Sequence, residues 1–497
     1  MKKLLLPAVV VFLVAVLLVG AVMFYQSSRQ TWLSDSPHEE LLGVSDGGVL
    51  FNDPAAEQDK AKSAVMGRIN AIQKRIKEEN ERVAQQEKPF VKVALLMPLT
   101  VSKGKESAIS LDQIEHALQG TYTALKRANE SKIFGDSNGV GLQLWLVNQG
   151  SRQDVGDKLV DQVLRMSKEE HPLVAVVGLG SSTESTVEMA KRLGGGGIPM
   201  VGAITSADDL TGLENLWNIS PSNTQYAEAL LDFFGKRKNL KSAIVVRDRN
   251  SDPYVKSLAD AFRFILKDYV KFSPLSYNGS TIDQPATANI FAPLVTNLCV
   301  AVNDQQSPLD TVLYAGRVAD FPSFAKALKD RVCKGKPLTV LTGATGFASA
   351  QNLRQVLEEG NVTVFYASSS DAVGWSQPGS PYVPEDFSDF VKDYKAQGFP
   401  PEDLNDGLVI AHHDAFATAA QAIRQAPDPT LANVVAQFDN LVFASLVRGA
   451  SGRLSFPDGA KGRAVNRPIP MLQLGERMLL DPPGFKPYIV EDKTKTE

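Results

Sequence analysis

From residue 90 onward the chain alternates short apolar runs with longer amphipathic stretches, and no other feature limits the possible folds as much. Residues 91–97, 142–147, 173–177, 200–203, 243–246, 311–315, 339–341 and 362–366 are apolar and rich in Val, Ile and Leu. Stretches with helical spacing lie between most of them, at 114–129, 154–167, 185–193, 224–235, 254–267 and 321–331. Short continuous apolar strands separated by helices mark parallel sheets covered on both faces. This many strands need at least two sheets, so the expected fold is α/β with two doubly wound parallel-sheet lobes. A chain of 497 residues is long enough for two or three packed units. The stretch 446–462 breaks the pattern with Gly449, Gly452, Pro457, Asp458 and Gly459, and predicts loops and hairpins.

The chain before residue 90 reads differently. Lys2 and Lys3 precede an apolar run over residues 4–25, broken by Pro7 and Gly20. About 20 apolar residues cross a bilayer core, and the lysines stay on the cytoplasmic side, so residues 1–25 predict a single-pass anchor with the bulk of the chain extracytoplasmic. A cleavable signal peptide is the rival, but its apolar region is normally about 7–15 residues. Residues 26–60 are polar and read as a spacer. In the helical segment 61–88, Val65, Ile69, Ile72, Ile76 and Val83 recur at spacings of three and four, with Glu79 in the one missed place. That seam suits a dimer through 65–83 or, the favoured reading, a helix laid against the adjacent domain. Pro89 ends it, and residues 488–497 read as a tail.

Several function classes drop out. Lys plus Arg is 52 against Asp plus Glu 56, a net charge of −4, which does not suit a nucleic-acid binder. Two cysteines and five histidines exclude a Cys/His zinc framework, and no metal site or cofactor is expected. His412-His413-Asp414 lies in an alanine-rich helix, where adjacent histidines point about 100° apart and cannot chelate one ion together. His116 and His171 are isolated, and no serine sits in a Gly-x-Ser-x-Gly elbow, so catalysis is not expected. Cys299 and Cys333 precede neighbouring strands at one sheet edge. Outside the cytoplasm they favour a disulfide over two buried thiols.

In open parallel sheets, ligands bind beyond the carboxyl ends of the strands, where loops meet helix N-termini. After the run 173–177 comes Gly178-Leu179-Gly180-Ser181-Ser182-Thr183-Glu184-Ser185 and a helix. Hydroxyls there either cap the helix or join its free N–H groups in binding an anion. A second hydroxyl loop, Ala203-Ile204-Thr205-Ser206-Ala207-Asp208, follows the next run. Neither loop is a Walker A or dinucleotide motif: no Gly-Lys-Ser/Thr follows, and Gly178-Leu179-Gly180 lacks its third glycine. The run Gly194 to Gly197 precedes its strand and reads as a turn.

Gly178-Leu179-Gly180-Ser181-Ser182-Thr183, Gly197-Ile198-Pro199-Met200-Val201, Leu216-Trp217-Asn218-Ile219-Ser220-Pro221-Ser222-Asn223 and Asp252-Pro253-Tyr254, in that order, resemble the landmarks of type I periplasmic binding proteins, in particular the branched-chain amino acid receptors of ABC importers. Gln119-Gly120 and Gly452-Arg453-Leu454-Ser455-Phe456-Pro457-Asp458-Gly459 extend the likeness over roughly residues 90–480. The resemblance implies two lobes joined by three crossovers, here lobe 1 at 90–221 plus 342–445 and lobe 2 at 222–341 plus 446–487. It also implies that the two hydroxyl loops hold the α-carboxylate of a small solute. Carried over, these positions are Ser181, Ser182, Thr183, Ile204, Thr205 and Ser206, faced by Tyr254 of the second lobe.

This chain departs from that family's pattern at Asn148-Gln149, where an acid is usual, at Val255, where a glycine is usual, and in the insert 101–105. The expectation is therefore a membrane-anchored extracytoplasmic receptor for an amino-acid-like or carboxylate-bearing solute, serving ABC uptake or sensing, with a permease or membrane signalling complex as partner. The alternative is an interaction, scaffold or signalling ectodomain that keeps the fold without the ligand. A cleft filled by Ile204, Phe347 or Trp375 would favour it. Trp375, in a Gly- and Pro-rich loop after Ser368-Ser369-Ser370-Asp371, is a candidate for the cleft rim or a partner contact, while Trp145 and Trp217 are expected in the core.

Overall fold

The computed structural model describes residues 33–35, 40–102, 107–136, 139–154, 157–237, 241–250, 252–280, 288–343, 347, 353–442, 445–475 and 487–491. The apolar run 4–25 and most of the insert 101–105 lie outside the described residues. No described helix is long and apolar enough to cross a membrane.

Two sheets form the centres of two lobes. In lobe 1 the strands are β1 (Leu33–Asp35), β2 (Leu41–Ser45), β3 (Phe90–Met97), β4 (Gly141–Asn148), β5 (Leu173–Gly178), β6 (Met200–Gly202) and β7 (Leu216–Asn218), in the order β1-β2-β4-β3-β5-β6-β7. Strands β3 to β7 run parallel, and β2 lies antiparallel on β4. In lobe 2 the strands are β8 (Ala243–Asp248), β9 (Leu275–Tyr277), β10 (Thr311–Ala315), β11 (Leu338–Gly343), β12 (Val362–Ala367) and β16 (Met471–Gln473), ordered β16-β12-β11-β10-β8-β9. All are parallel except β16. Two small antiparallel pairs complete the strands: β13 (Val447–Gly449) with β14 (Gly452–Leu454), and β15 (Pro468–Ile469) with β17 (Tyr488–Ile489).

Each run is buried on both sides, as its composition predicts. In lobe 1, α1 (Lys60–Ala84), α2 (Leu111–Glu130) and α12 (Leu408–Gln425) cover one face, and α3 (Asp157–Met166) and α4 (Glu184–Gly195) the other. Successive residues of β3 go to opposite faces: Val93, Leu95 and Met97 join the first cluster, Ala94 and Leu96 the second. Helices α2 and α12 approach closely at Gly120, where a Cβ would come within 2.1 Å of the Val409 carbonyl oxygen. Lobe 2 buries α5 (Asn223–Arg237), α6 (Pro253–Ile265), α7 (Ala288–Val302), α8 (Phe321–Lys329) and α9 (Arg354–Glu359) against its sheet.

Three expectations need correction, and one choice between two readings is decided. The segment 26–60 is not merely a spacer, because β1 and β2 extend the lobe 1 sheet from it. The apolar seam of α1 follows the favoured reading, a helix laid against the adjacent domain. Ile69, Ile72, Ile76 and Val83 pack into lobe 1, and Glu79 lies buried beneath, accepting hydrogen bonds from Arg82, Lys126 and Asn129. Next to it Asn80 and Asn129 pair their amides with the backbone of Leu144 and Leu142, satisfying the part of β4 that β2 does not reach. The lobe boundaries also move. Strand β12 belongs to lobe 2, whereas β13 and β14 pack on lobe 1. A buried apolar run looks the same whichever sheet it joins, so composition cannot assign it. Finally, Tyr488 and Ile489 of the expected tail pair with β15.

The chain passes between lobes three times, as the resemblance implies: at 219–222, between β7 and α5; at 368–371, between β12 and α10 (Ala372–Trp375); and at 464–467, where Ala464 belongs to the lobe 1 core and Val465 to that of lobe 2. The remaining lobe 1 helices are α11 (Phe387–Ala396) and α13 (Leu431–Phe438).

Cys299 and Cys333 form a disulfide that closes 34 residues, with their Cα atoms 5.5 Å apart. In the chain-entropy model a loop of this size contributes about 4 kcal/mol. Replacing both with Ser is expected to lower the unfolding free energy of lobe 2 by roughly that amount, measured by urea melts.

His116 offers a second test. It lies between Asp406 (2.7 Å) and Asp403 (3.5 Å), pinning α2 to the turn at 401–406. Burial pushes the imidazole pKa down, but Asp406 and Asp403 together outweigh it and raise the group to about 10. A folded-state value raised above the ordinary value near 6.5 means the stabilisation is fully present below pH 6.5 and is lost as pH rises through 10. The stability difference between parent and His116→Gln should thus be largest at pH 6 and shrink by pH 10.5 in paired urea melts.

Candidate functional site

The carboxyl ends of the parallel strands of both lobes face the crossovers, and the two hydroxyl loops sit there. In the first, Gly178, Leu179 and Gly180 all take positive φ, 96°, 68° and 67°, which turns the chain sharply off β5. Gln153 holds the result: its side-chain carbonyl accepts the Ser181 N–H at 2.9 Å and its amide donates to the Ser181 carbonyl at 3.1 Å. The second loop leaves β6 at Gly202, where a Cβ would clash with Thr205 Oγ1 at 2.1 Å. The loops touch, since the Ala207 N–H donates to Ser182 Oγ at 3.2 Å. The adjacency expected from consecutive strands is thereby met.

The hydroxyls themselves are employed less uniformly than the resemblance implies. Thr183 caps α4 by accepting the Thr186 N–H at 3.2 Å. Ser181 Oγ donates to the Ala108 carbonyl at 3.3 Å. Thr205 donates to Asn218 Oδ1 at 2.6 Å and has no exposed surface. Ile204 packs against the lobe 1 core, and the Ser206 carbonyl accepts the Asn223 N–H at the start of α5. Tyr254 donates to the Gly343 carbonyl at 3.1 Å, and burial raises its pKa. Ser182 stands at the loop junction, where its Oγ serves as an acceptor.

Lobe 2 contributes the group that sequence reasoning passed over. Arg317 follows Gly316 directly beyond β10, the position in lobe 2 that corresponds to the loops inspected in lobe 1. Searching carboxyl ends in both lobes would have found it. Its Nε donates to Asp252 Oδ2 at 2.9 Å, its guanidinium carbon stands 5.2 Å from the centre of the Tyr254 ring, and its Nη2 reaches across to the Ser182 carbonyl at 2.9 Å. Asp252 meanwhile caps α6 by accepting the Val255 N–H. A second bridge between lobes runs from the Asp208 N–H to Ser257 Oγ at 3.3 Å, and Asn223 donates to that same oxygen at 2.6 Å. Burial raises the Asp208 carboxyl, against hydrogen bonds from Ser222 and Thr224 and the charge of Arg463.

Other groups singled out from the sequence lie elsewhere. Trp375 is not at a rim: it is buried in lobe 1, edge-on to Phe387 at 5.2 Å. Phe347 is in the lobe 2 core. Trp217 stacks on Phe438 in the lobe 1 core, and Trp145 is half-buried with Lys92 over its ring. His413 and Asp414 form a buried network in which Arg127 donates to His413 Nε2, so Nδ1 carries the proton given to Asp414. Asp414 also accepts from Ala450 N, Ser451 N and Ser451 Oγ, tying α12 to the β13–β14 turn. No cluster of three metal-ligating side chains occurs among the described residues.

Two carboxylates unplaced by sequence also stand on lobe 2. A Cβ on Gly279 would meet Asp248 Oδ2 at 2.2 Å and Asp320 Oδ2 at 2.5 Å, so the two acids lie close together. Burial, with the nearby Asp248 charge, raises Asp320. Backbone and tyrosine donors hold both: Gly279 N–H and Asn250 N–H on Asp248, Ser280 N–H and Tyr277 OH on Asp320.

No family model matches this sequence, and no curated protein matches it. Solved structures do. An ABC transporter substrate-binding protein from Desulfitobacterium hafniense, also solved in complex with Leu, is 17% identical with a TM-score of 0.55, over 76% of this chain and 95% of that one. A solute-binding protein of an ABC transporter from Rhodopseudomonas palustris, solved with p-hydroxybenzoic acid, is 12% identical with a TM-score of 0.58, over 82% and 99%. A branched-chain amino acid ABC transporter protein from Thermus thermophilus with bound valine is 13% identical with a TM-score of 0.57, over 81% and 97%. These neighbours are type I periplasmic binding proteins, and this chain shares their fold.

The placement of Thr205 is testable by itself. Thr205→Val keeps the volume but strips Asn218 Oδ1 of a donor in a dry site, so it is expected to cost about 1–3 kcal/mol of lobe 1 stability in denaturant melts.

Proposed function

We propose that this chain is an extracytoplasmic receptor that takes a small carboxylate-bearing solute between its lobes, for ABC uptake or sensing. Its N-terminal apolar segment would hold it to the membrane beside a permease or signalling partner. The observation that carries this reading is Arg317, a guanidinium of lobe 2 that meets the Ser182 turn of lobe 1 where the strand ends of both lobes converge. A planar cation held from behind by Asp252 and stacked on Tyr254 is suited to a carboxylate, which it can grip with two parallel N–H bonds. Structural neighbours solved with Leu, valine or p-hydroxybenzoic acid have carboxylate ligands in common. Binding would shift the balance between open and closed lobes only by the solute's preference for one of them.

The alternative is an interaction or scaffold ectodomain. It draws support from the hydroxyls of Ser181, Thr183, Thr205 and Tyr254, each already engaged within its own lobe.

A thermal-shift screen of the full-length chain in detergent, against amino acids, aromatic carboxylates and small amides, separates the two. At 100-fold above the dissociation constant a true ligand adds about 2.7 kcal/mol of apparent stability. Arg317→Gln should abolish the response to carboxylates while leaving the unliganded melt nearly unchanged. Absence of any response in the parent chain would favour the scaffold.

A further inference from the structure

Two arginines, Arg463 directly before the third crossover and Arg467 at its end, are almost wholly buried, with 2% and 1% of their surfaces exposed. Among the described residues, every hydrogen-bond acceptor of either guanidinium is a neutral oxygen. Arg463 Nη1 donates to the Thr205 carbonyl at 2.5 Å and the Ser220 carbonyl at 3.1 Å, Nη2 to the Ala207 carbonyl at 2.7 Å, and Nε to Thr211 Oγ1 at 2.9 Å. Arg467 Nη1 donates to the Ile219 carbonyl and Nη2 to the Ser369 carbonyl at 2.6 Å.

The addresses of those carbonyls matter. Ile219 and Ser220 are on the first crossover, Ser369 is on the second, Arg467 is on the third and Arg463 adjoins it. Thr205 and Ala207 belong to the second site loop. One side chain, Arg467, thus bonds all three interlobe connections to one another, while Arg463 bonds the site loop to the first and third. The backbone supports the same pairing: Asn218 N–H donates to the Gly462 carbonyl and Ala464 N–H to the Asn218 carbonyl, both within 3.0 Å. A cation removed from water is tolerated only while its acceptors remain in place, so these carbonyls cannot separate freely. The guanidinium fork also holds its two acceptors at a set spacing, which a lysine cannot do.

We infer that Arg467 is a positioning residue at the hinge, which keeps the three crossovers moving as one and so sets the distribution of lobe openings, and that Arg463 couples the second site loop to that hinge. The inference rests on the reading that the lobes move about their crossovers, but not on the identity of any solute.

The test uses the full-length chain in detergent with spin labels at Glu188→Cys on lobe 1 and Lys256→Cys on lobe 2, both exposed, the native cysteines being joined in a disulfide. Pulsed dipolar spectroscopy without added ligand reads the interlobe distance distribution. Arg467→Gln is expected to widen that distribution at least twofold, and Arg467→Lys, which keeps the charge, to widen it less. Arg331→Gln is the control. Arg331 is also buried and bonds backbone carbonyls, at Leu328, Lys336, Gly360 and Asn361, but all of them lie in lobe 2. It should lower stability and leave the distances alone. The inference is overturned if both Arg467 variants match the parent distribution, or if Arg331→Gln widens it equally. A widened distribution with no solute found by the thermal-shift screen would sustain the hinge role and remove the receptor reading. The converse result would do the opposite.

Discussion

A parallel sheet points the carboxyl ends of all its strands in one direction, and two such sheets joined by three short crossovers present those ends toward one region. The rest of this molecule depends on that constraint. It brings the loops after β5 and β6 in lobe 1 near those after β8 and β10 in lobe 2, so Ser182 and Arg317, 135 positions apart in the chain, share a hydrogen bond. It also leaves helix N-termini around the same space, where α4 and α6 are capped by Thr183 and Asp252. Loops so placed can evolve contacts to a solute without disturbing either core.

The polar groups in and beneath this region are unusually busy with one another. Glu40, brought in by the chain ahead of β2, accepts from Thr100, Ser151 and Ser102 at the carboxyl ends of β3 and β4. Asn218 receives Thr205, Gln153 brackets Ser181, and Arg463 spans four oxygens. A buried polar atom without a partner is costly, and each of these contacts removes such a cost while fixing the shape of a loop. Rigidity of the loops and rigidity of the crossovers therefore come from one connected set of bonds.

Much of the architecture was legible before any coordinates. Apolar runs at 91–97, 173–177 or 311–315 have the length and composition of strands buried on both faces, and each became one. The adjacency of the hydroxyl loops followed from consecutive strands, and the pairing of Cys299 with Cys333 from neighbouring ones. The role of each hydroxyl was not legible. Ser, Thr and Tyr at a strand end satisfy a cap, a neighbouring amide or a ligand equally well, and Thr205 chose Asn218, which is 13 positions away. Glu40 and the strand after it were hidden because a five-residue strand set in an otherwise polar segment is too short to announce itself. The helix α1 showed its seam but not its partner, since Ile69, Ile72 and Ile76 suit a second chain as well as their own lobe.

What this sequence determined unaided was local and periodic: which stretches are strands, which are helices, and that two sheets are needed. Those follow from side-chain period and from the requirement that apolar surface be covered. Which sheet takes β12, which acceptor takes each hydroxyl, and how Arg317, Arg463 and Arg467 find oxygens far away in sequence were decided only in the tertiary structure. The physical reason is that these bonds depend on where the chain crosses between lobes, and a crossover leaves no periodic mark in the residues that make it.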